Sequence, residues 1–173
     1  PLKRKITIVV TIFFMKIGKQ KIKLNTAIVV FIDILGFRNR IYDVDSDESL
    51  LRAYQDIRIL HKLFDKEPDS KITRASQKII AKTVLAFTDA LIISLDFESV
   101  YAKVSGIFDT ISSELYIIGL NQANAITRGI FLRGGIASGF YFSSKSEDII
   151  ISSAMVKAYE TENKTVYPII SLN

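Results

Sequence analysis

Apolar and polar residues follow one another along the chain in patterns that predict both strands and helices. Residues 26–34 (TAIVVFIDI) form a near-continuous β-branched and aromatic run, which is typical of a buried central strand. Between 48 and 65, apolar residues recur at the spacing of an amphipathic helix. Two apolar runs within 78–95 meet at Thr88 and Asp89, which predicts a β-hairpin with the aspartate at its tip. The remaining segments are predicted to be a long helix, a glycine-rich strand, a short strand, a third helix and a closing strand, over residues 100–118, 131–140, 148–151, 152–163 and 166–171.

This order of elements predicts a single α+β domain. The succession βαββαβ, followed by a further strand, helix and strand, is typical of the ferredoxin-like class, in which an antiparallel sheet carries helices on one face. The chain has no internal repeat, low-complexity tract or interdomain linker. We therefore expect one folded domain at 26–173, preceded by a basic N-terminal extension at 1–25.

Charge is distributed unevenly between that extension and the domain. Seven of the 23 lysines and arginines lie within residues 1–23, which contain no acid, so the rest of the chain has a balance of −2. The folded domain is therefore not expected to bind nucleic acid. An apolar run at 6–15 (ITIVVTIFFM) is shorter than the roughly 20 residues that span a bilayer. It is interpreted as an extra strand or as upstream sequence, and anionic membrane contact through the basic tail is a less favoured alternative.

The residue types present limit the chemistry that the protein can perform. The chain has no cysteine and a single histidine, His61, which excludes disulfides, thiolate metal sites and multi-histidine zinc sites. The absence of cysteine fits a reducing cytoplasm, and we expect a cytoplasmic protein. Any metal would be bound mainly by oxygen ligands, which favours magnesium or manganese.

Two aspartates stand out because each interrupts an apolar strand near its end. Asp33 lies two residues before the end of the first strand, and Asp89 lies at the hairpin tip. A buried lone carboxylate is costly unless it is paired or bound to a metal. If the hairpin lies beside the first strand, both carboxylates meet at one edge of the sheet, where they could bind divalent ions for phosphoryl or nucleotidyl transfer. The alternative is that both aspartates only cap turns.

Four segments taken together resemble a known family. FIDILGF at 31–37, FTDALIIS at 87–94, RGGIASG at 133–139 and SSAMVKAYETE from residue 152 occur in the order of the motifs of class III nucleotidyl cyclases. The amino-acid sequences of these segments are most similar to those of the bacterial pyrimidine cyclases of the Pycsar antiphage systems. The resemblance covers residues 26–170.

The resemblance implies roles for particular residues. Asp33 and Asp89 would bind two Mg²⁺ or Mn²⁺ ions, with the backbone carbonyl of Ile34 as a third ligand. The segment between strand and helix would offer backbone N–H groups to a triphosphate, and it consists of Leu35, Gly36, Phe37 and Arg38.

The third motif of the family departs from its usual form in this chain. Val156 and Glu160 stand where an asparagine and an arginine usually steady the ribose and the transition state. Arg133 or Lys157 would then supply the positive charge, across a dimer interface. The chain also ends soon after Pro168, where relatives continue with further strands.

The function implied is cyclisation of UTP or CTP to the 3′,5′-cyclic mononucleotide and pyrophosphate. The product would act as an antiphage signal that activates a separate effector, and the enzyme would be a homodimer with shared active sites. Two alternatives stay open. One is a purine cyclase that uses ATP or GTP, and the other is a catalytically silent module for dimerisation or nucleotide sensing.

Overall fold

The computed structural model describes residues 13–17, 20–64, 75, 78–144 and 149–173. The strands are β1 (Phe13–Ile17), β2 (Gln20–Ile34), β3 (Lys82–Phe87), β4 (Ala90–Asp96), β5 (Leu132–Ser144), β6 (Ile149–Ser152) and β7 (Ile170–Leu172). The helices are α1 (Phe37–Tyr42), α2 (Asp47–Leu63), α3 (Val100–Ser105), α4 (Ile107–Ile126) and α5 (Ser153–Lys164).

The strands form one mixed sheet in which β2 is central. Its main order is β3-β4-β2-β5-β6, with every neighbouring pair antiparallel. The short β7 joins β5 in parallel, and β1 forms a hairpin with the start of β2. The order β5-β2-β4-β3 is that of a ferredoxin-like βαββαβ core. The predicted α+β class is therefore confirmed.

Alternate residues of β2 face two separate apolar clusters. Val30 and Ile32 belong to the cluster that contains Leu60 of α2 and Ile118 of α4. Val29 belongs to the opposite cluster, which contains Ala154 and Met155 of α5. The prediction that helices cover one face holds for α2 and α4, whereas α5 packs on the other face. Both faces of the central strand are thus buried, which explains its continuous apolar run.

The structure also differs from the sequence prediction within the helices. The long helix expected at 100–118 is divided at Gly106, whose φ of 92° ends α3 and precedes α4. The α4 helix then continues to Ile126. The short helix α1 was not predicted from the sequence pattern, and it follows directly on Gly36, which has a φ of 78°. Glycine is well suited to both positions because it adopts positive φ without steric cost.

The predicted boundary between the N-terminal extension and the domain, at residue 25, falls within a strand. The strand β2 begins at Gln20, so the last residues of the expected extension belong to the sheet. Residues 13–15, the end of the apolar run at 6–15, lie in β1, while residues 1–12, which include most of that run, lie outside the described part of the chain. Among the described residues, none of the helices combines the length and the apolar composition that a membrane span requires.

Candidate functional site

Asp33 and Asp89 lie together at one edge of the sheet. In the strand register, Asp33 is opposite Ala90 of β4 and opposite Arg133 of β5. Asp89 directly precedes Ala90 in the hairpin turn, and its backbone carbonyl accepts a hydrogen bond from the N–H of Ile34 at 3.3 Å. The charge of Asp89 contributes to a raised pKa of Asp33, so the two carboxyl groups are close enough to interact electrostatically. The juxtaposition that the sequence allowed is therefore present.

The hairpin tip holds the Asp89 carboxylate through its neighbour Thr88. The backbone of Thr88 has a φ of 45°, a conformation that is unfavourable for a β-branched residue and costs on the order of 1–3 kcal/mol. Its hydroxyl donates a hydrogen bond of 2.6 Å to Oδ1 of Asp89. The strained turn thus positions a carboxylate oxygen.

The electrostatic environment of Asp33 disfavours its ionised form. Burial raises the pKa of Asp33 to about 7, with further increases from the charge of Asp89, their hydrogen bond and the charge of Glu162. Arg133 acts in the opposite direction and is outweighed. The site therefore has more negative charge than its own positive groups compensate, which is a favourable environment for a cation.

Arg133 connects this carboxylate pair to α5. Its Nη2 lies 3.5 Å from Oδ2 of Asp33, and its Nη1 donates a hydrogen bond of 3.4 Å to the carbonyl of Thr165. Its Nε lies 2.5 Å from Oε1 of Glu162, in a short ion pair whose angle falls outside the range of a hydrogen bond. The guanidinium expected to contact phosphate is thus engaged by groups of its own subunit.

Sequence reasoning missed Glu162, although a signal for it was present. The buried residues of α5 are Ala154, Ala158, Thr161 and Glu162. This spacing is the stripe of a helix that packs on a sheet, and Glu162 continues the stripe at its C-terminal end. A charged residue in a buried stripe requires a partner, and Arg133 is the partner.

Three other α5 residues named from the family motif lie on the exposed side of that helix. Val156, Lys157 and Glu160 are all exposed. Among the described side chains, Lys157 forms no ion pair with Asp33 or Asp89. The structure therefore does not bring Lys157 to the carboxylate pair within one subunit.

The predicted triphosphate loop is only partly available for binding. The N–H of Leu35 already donates to the carbonyl of Phe131 at 2.8 Å, so this amide has an acceptor within the chain in this conformation. Phe37 is buried, and Arg38 is exposed with its guanidinium over the ring of Tyr42. The amides of the first turn of α1 have no acceptor within the helix, as at any helix start. Gly36 supplies the sharp turn before them.

The donor set fits a hard divalent cation. Within the described ranges, no group of three or more histidine, aspartate or glutamate side chains is arranged to bind a metal. Two carboxylates are nevertheless what Mg²⁺ commonly takes from a protein, with water and substrate phosphates completing its coordination. Ile34, whose carbonyl was expected to contribute, ends β2 next to Asp33.

Comparisons with known proteins show resemblance at the level of structure. No protein-family model matches the sequence, and no curated protein matches it. The adenylyl cyclase CyaB from P. aeruginosa is similar in structure, with 18% identity, a TM-score of 0.48, and coverage of 84% of this chain and 74% of that chain. A bacterial light-regulated adenylyl cyclase is also similar, with 18% identity, a TM-score of 0.43, and coverage of 82% and 71%.

Proposed function

We propose that this chain is the catalytic domain of a nucleotide cyclase, which converts a nucleoside triphosphate to a 3′,5′-cyclic mononucleotide and pyrophosphate. The observation that carries the proposal is the convergence of Asp33 and Asp89 at one sheet edge, with a raised pKa for Asp33. Both residues lie within the segments that resemble the metal motifs of class III cyclases. A turn-capping role alone does not explain why two carboxylates lie together at this edge and why burial raises the pKa of Asp33.

The cofactors in this proposal are two Mg²⁺ or Mn²⁺ ions, held by Asp33, Asp89 and the carbonyl of Ile34. When bound, such ions supply a lowered pKa for the ribose 3′-hydroxyl and neutralise charge on the leaving pyrophosphate. The chain itself orients the Asp89 carboxylate through the hydroxyl of Thr88, and it places the Arg133 guanidinium 3.5 Å from Asp33. Such a site acts by positioning and charge neutralisation rather than by a side-chain nucleophile.

The proposed substrate is UTP or CTP. This choice is supported by the resemblance of the four motif sequences to those of pyrimidine cyclases. The product would be an antiphage signal read by a separate effector in the cytoplasm. A purine cyclase has the same carboxylate pair, and therefore the geometry of Asp33 and Asp89 supports ATP or GTP equally well.

The proposed assembly is a homodimer with shared active sites. Val156 and Tyr159 are apolar yet half-exposed on α5. The ring of Tyr159 contacts that of Phe31, two residues before Asp33 on the same face of β2, with ring centroids 5.4 Å apart. A second copy that covers Tyr159 would therefore approach the carboxylate pair.

A catalytically silent module is the second candidate, and a specific observation favours it. Arg133 is engaged by Glu162 and Asp33, and neither Val156 nor Glu160 can replace the usual asparagine and arginine of the motif. Such a module would bind metal and nucleotide through Asp33 and Asp89 without turnover.

Incubation with ATP, GTP, CTP and UTP separately, with Mn²⁺, followed by mass spectrometry for cyclic mononucleotides, tests these alternatives. We expect one cyclic pyrimidine product, reduced to background in Asp33→Asn and in Asp89→Asn. The matched control is Asp109→Asn, an exposed aspartate of α4, which should retain activity. Full activity in Asp33→Asn would refute the site. Nucleotide binding without product in the wild type would support the silent module instead.

A further inference from the structure

Glu162 is a buried carboxylate whose role is not explained by packing alone. Its side chain is only 3% exposed, and its charge faces the guanidinium of Arg133. The Arg133 guanidinium in turn reaches Asp33, so Arg133 lies between two carboxylates. A buried charge without a partner is strongly unfavourable, so Glu162 must keep a cation beside it.

The two contacts of Arg133 are unequal. Its Nε is 2.5 Å from Glu162, whereas its Nη2 is 3.5 Å from Asp33. The Asp33 side chain is also more exposed, at 22%. Coulomb attraction grows as the distance and the local dielectric fall, and both conditions favour the pair with Glu162. Arg133 therefore interacts mainly with Glu162 of α5 and only weakly with Asp33.

The position of Arg133 matters because a guanidinium and a metal ion compete for the same carboxylate. A tight, bidentate ion pair between Arg133 and Asp33 would occupy the oxygens that a cation needs. Two further contacts hold the guanidinium back. One is Glu162, and the other is the carbonyl of Thr165, which follows α5 in the chain.

We propose that Glu162 is a positioning residue that controls the affinity of the carboxylate pair for a divalent cation, because it holds Arg133 at a distance from Asp33. This inference rests on the proposed function, in which Asp33 and Asp89 bind the metal. It assigns to Arg133 a role inside the subunit in place of a phosphate contact. Without Glu162, the Arg133 guanidinium turns to Asp33 and displaces the cation.

The test is Mn²⁺ binding in the absence of nucleotide, measured by electron paramagnetic resonance, with circular dichroism to verify folding. In Glu162→Gln the dissociation constant for Mn²⁺ should rise about tenfold. Mutation of residues that surround metal ligands commonly weakens metal binding by that factor or more. The double variant Arg133→Gln/Glu162→Gln removes both the carboxylate that holds Arg133 and the guanidinium that competes with the cation for Asp33. It should bind Mn²⁺ at least as tightly as the wild type.

The matched control is Glu48→Gln. Glu48 also pairs with an arginine, Arg52, but on the exposed surface of α2. The Glu48→Gln variant should bind Mn²⁺ with the same affinity as the wild type. If Glu162→Gln is folded and binds with wild-type affinity, the inference is overturned while the metal site stands. If Glu162→Gln does not fold, weaker binding by the double variant than by the wild type overturns it. If the wild type binds no Mn²⁺, or Asp33→Asn binds equally well, the proposed function fails together with the inference.

Discussion

Gly135 of β5 lies directly against the carbonyl oxygen of Ala158 in α5. A Cβ at position 135 would overlap that oxygen and would lie 2.8 Å from Cβ of Thr161. The helix therefore approaches the sheet more closely than any residue other than glycine permits. This approach brings Glu162, one turn beyond Ala158, to the guanidinium of Arg133.

Gly135→Ala should destabilise the protein because α5 must move outward or β5 must bend. We expect a loss of about 1–3 kcal/mol, the usual range for overpacking, measured by urea unfolding. The control is Gly119→Ala in α4, where a Cβ meets nothing within 4 Å. Alanine there should raise stability by about 0.5–1 kcal/mol through helix propensity. Equal effects of the two substitutions would contradict the close approach of α5.

The raised pKa of Asp33 should make stability fall as pH increases. The folded pKa of Asp33 is about 7, while its ordinary value is 3.8. Below that ordinary value the group is protonated in both states. Between the two values the folded state binds more protons than the unfolded state, so its stabilising contribution is lost as pH rises toward 7.

Asp33→Asn should remove this loss, and its stability relative to the wild type should increase between about pH 5 and about pH 8. Urea unfolding with a chelator present measures the difference at both pH values. Asp109→Asn, which alters an exposed aspartate, should parallel the wild type. A constant difference between Asp33→Asn and the wild type would show that the carboxyl group of Asp33 has no raised pKa.

A buried ion pair anchors the hairpin that carries Asp89. Lys82, the first residue of β3, lies 2.8 Å from Glu114 of α4, and the two side chains are only 7% and 5% exposed. Lys82→Met leaves the Glu114 charge uncompensated and should cost about 3–5 kcal/mol in the free energy of unfolding. The paired change Lys82→Met/Glu114→Leu should recover most of that loss.

The comparison for Lys82 is an exposed pair. Lys103 lies 3.2 Å from Glu98 and is 61% exposed, so Lys103→Met should cost less than about 1 kcal/mol. A similar cost for Lys82→Met would mean that the buried pair has little influence on the hairpin.

The sequence by itself determined the central strand, the hairpin and the residue types that are available for chemistry. The β-branched run at 26–34 predicted the central strand because a strand buried on both faces must be apolar throughout. The runs on either side of Thr88 and Asp89 predicted the hairpin. Both aspartates were identified because a buried carboxylate in an apolar strand is costly unless it is paired or bound to a metal. These are local properties, and a sequence displays local properties directly.

Only the tertiary structure decided which residues meet across the sheet. The stripe of α5 indicates that the helix packs on a sheet. It does not indicate that the helix covers the face opposite α2 and α4. The pairing of Glu162 with Arg133, and the engagement of the Leu35 amide by Phe131, join residues that are far apart in the chain. Such pairings depend on strand register and helix placement. Since they result from packing of the whole domain, no local pattern specifies them.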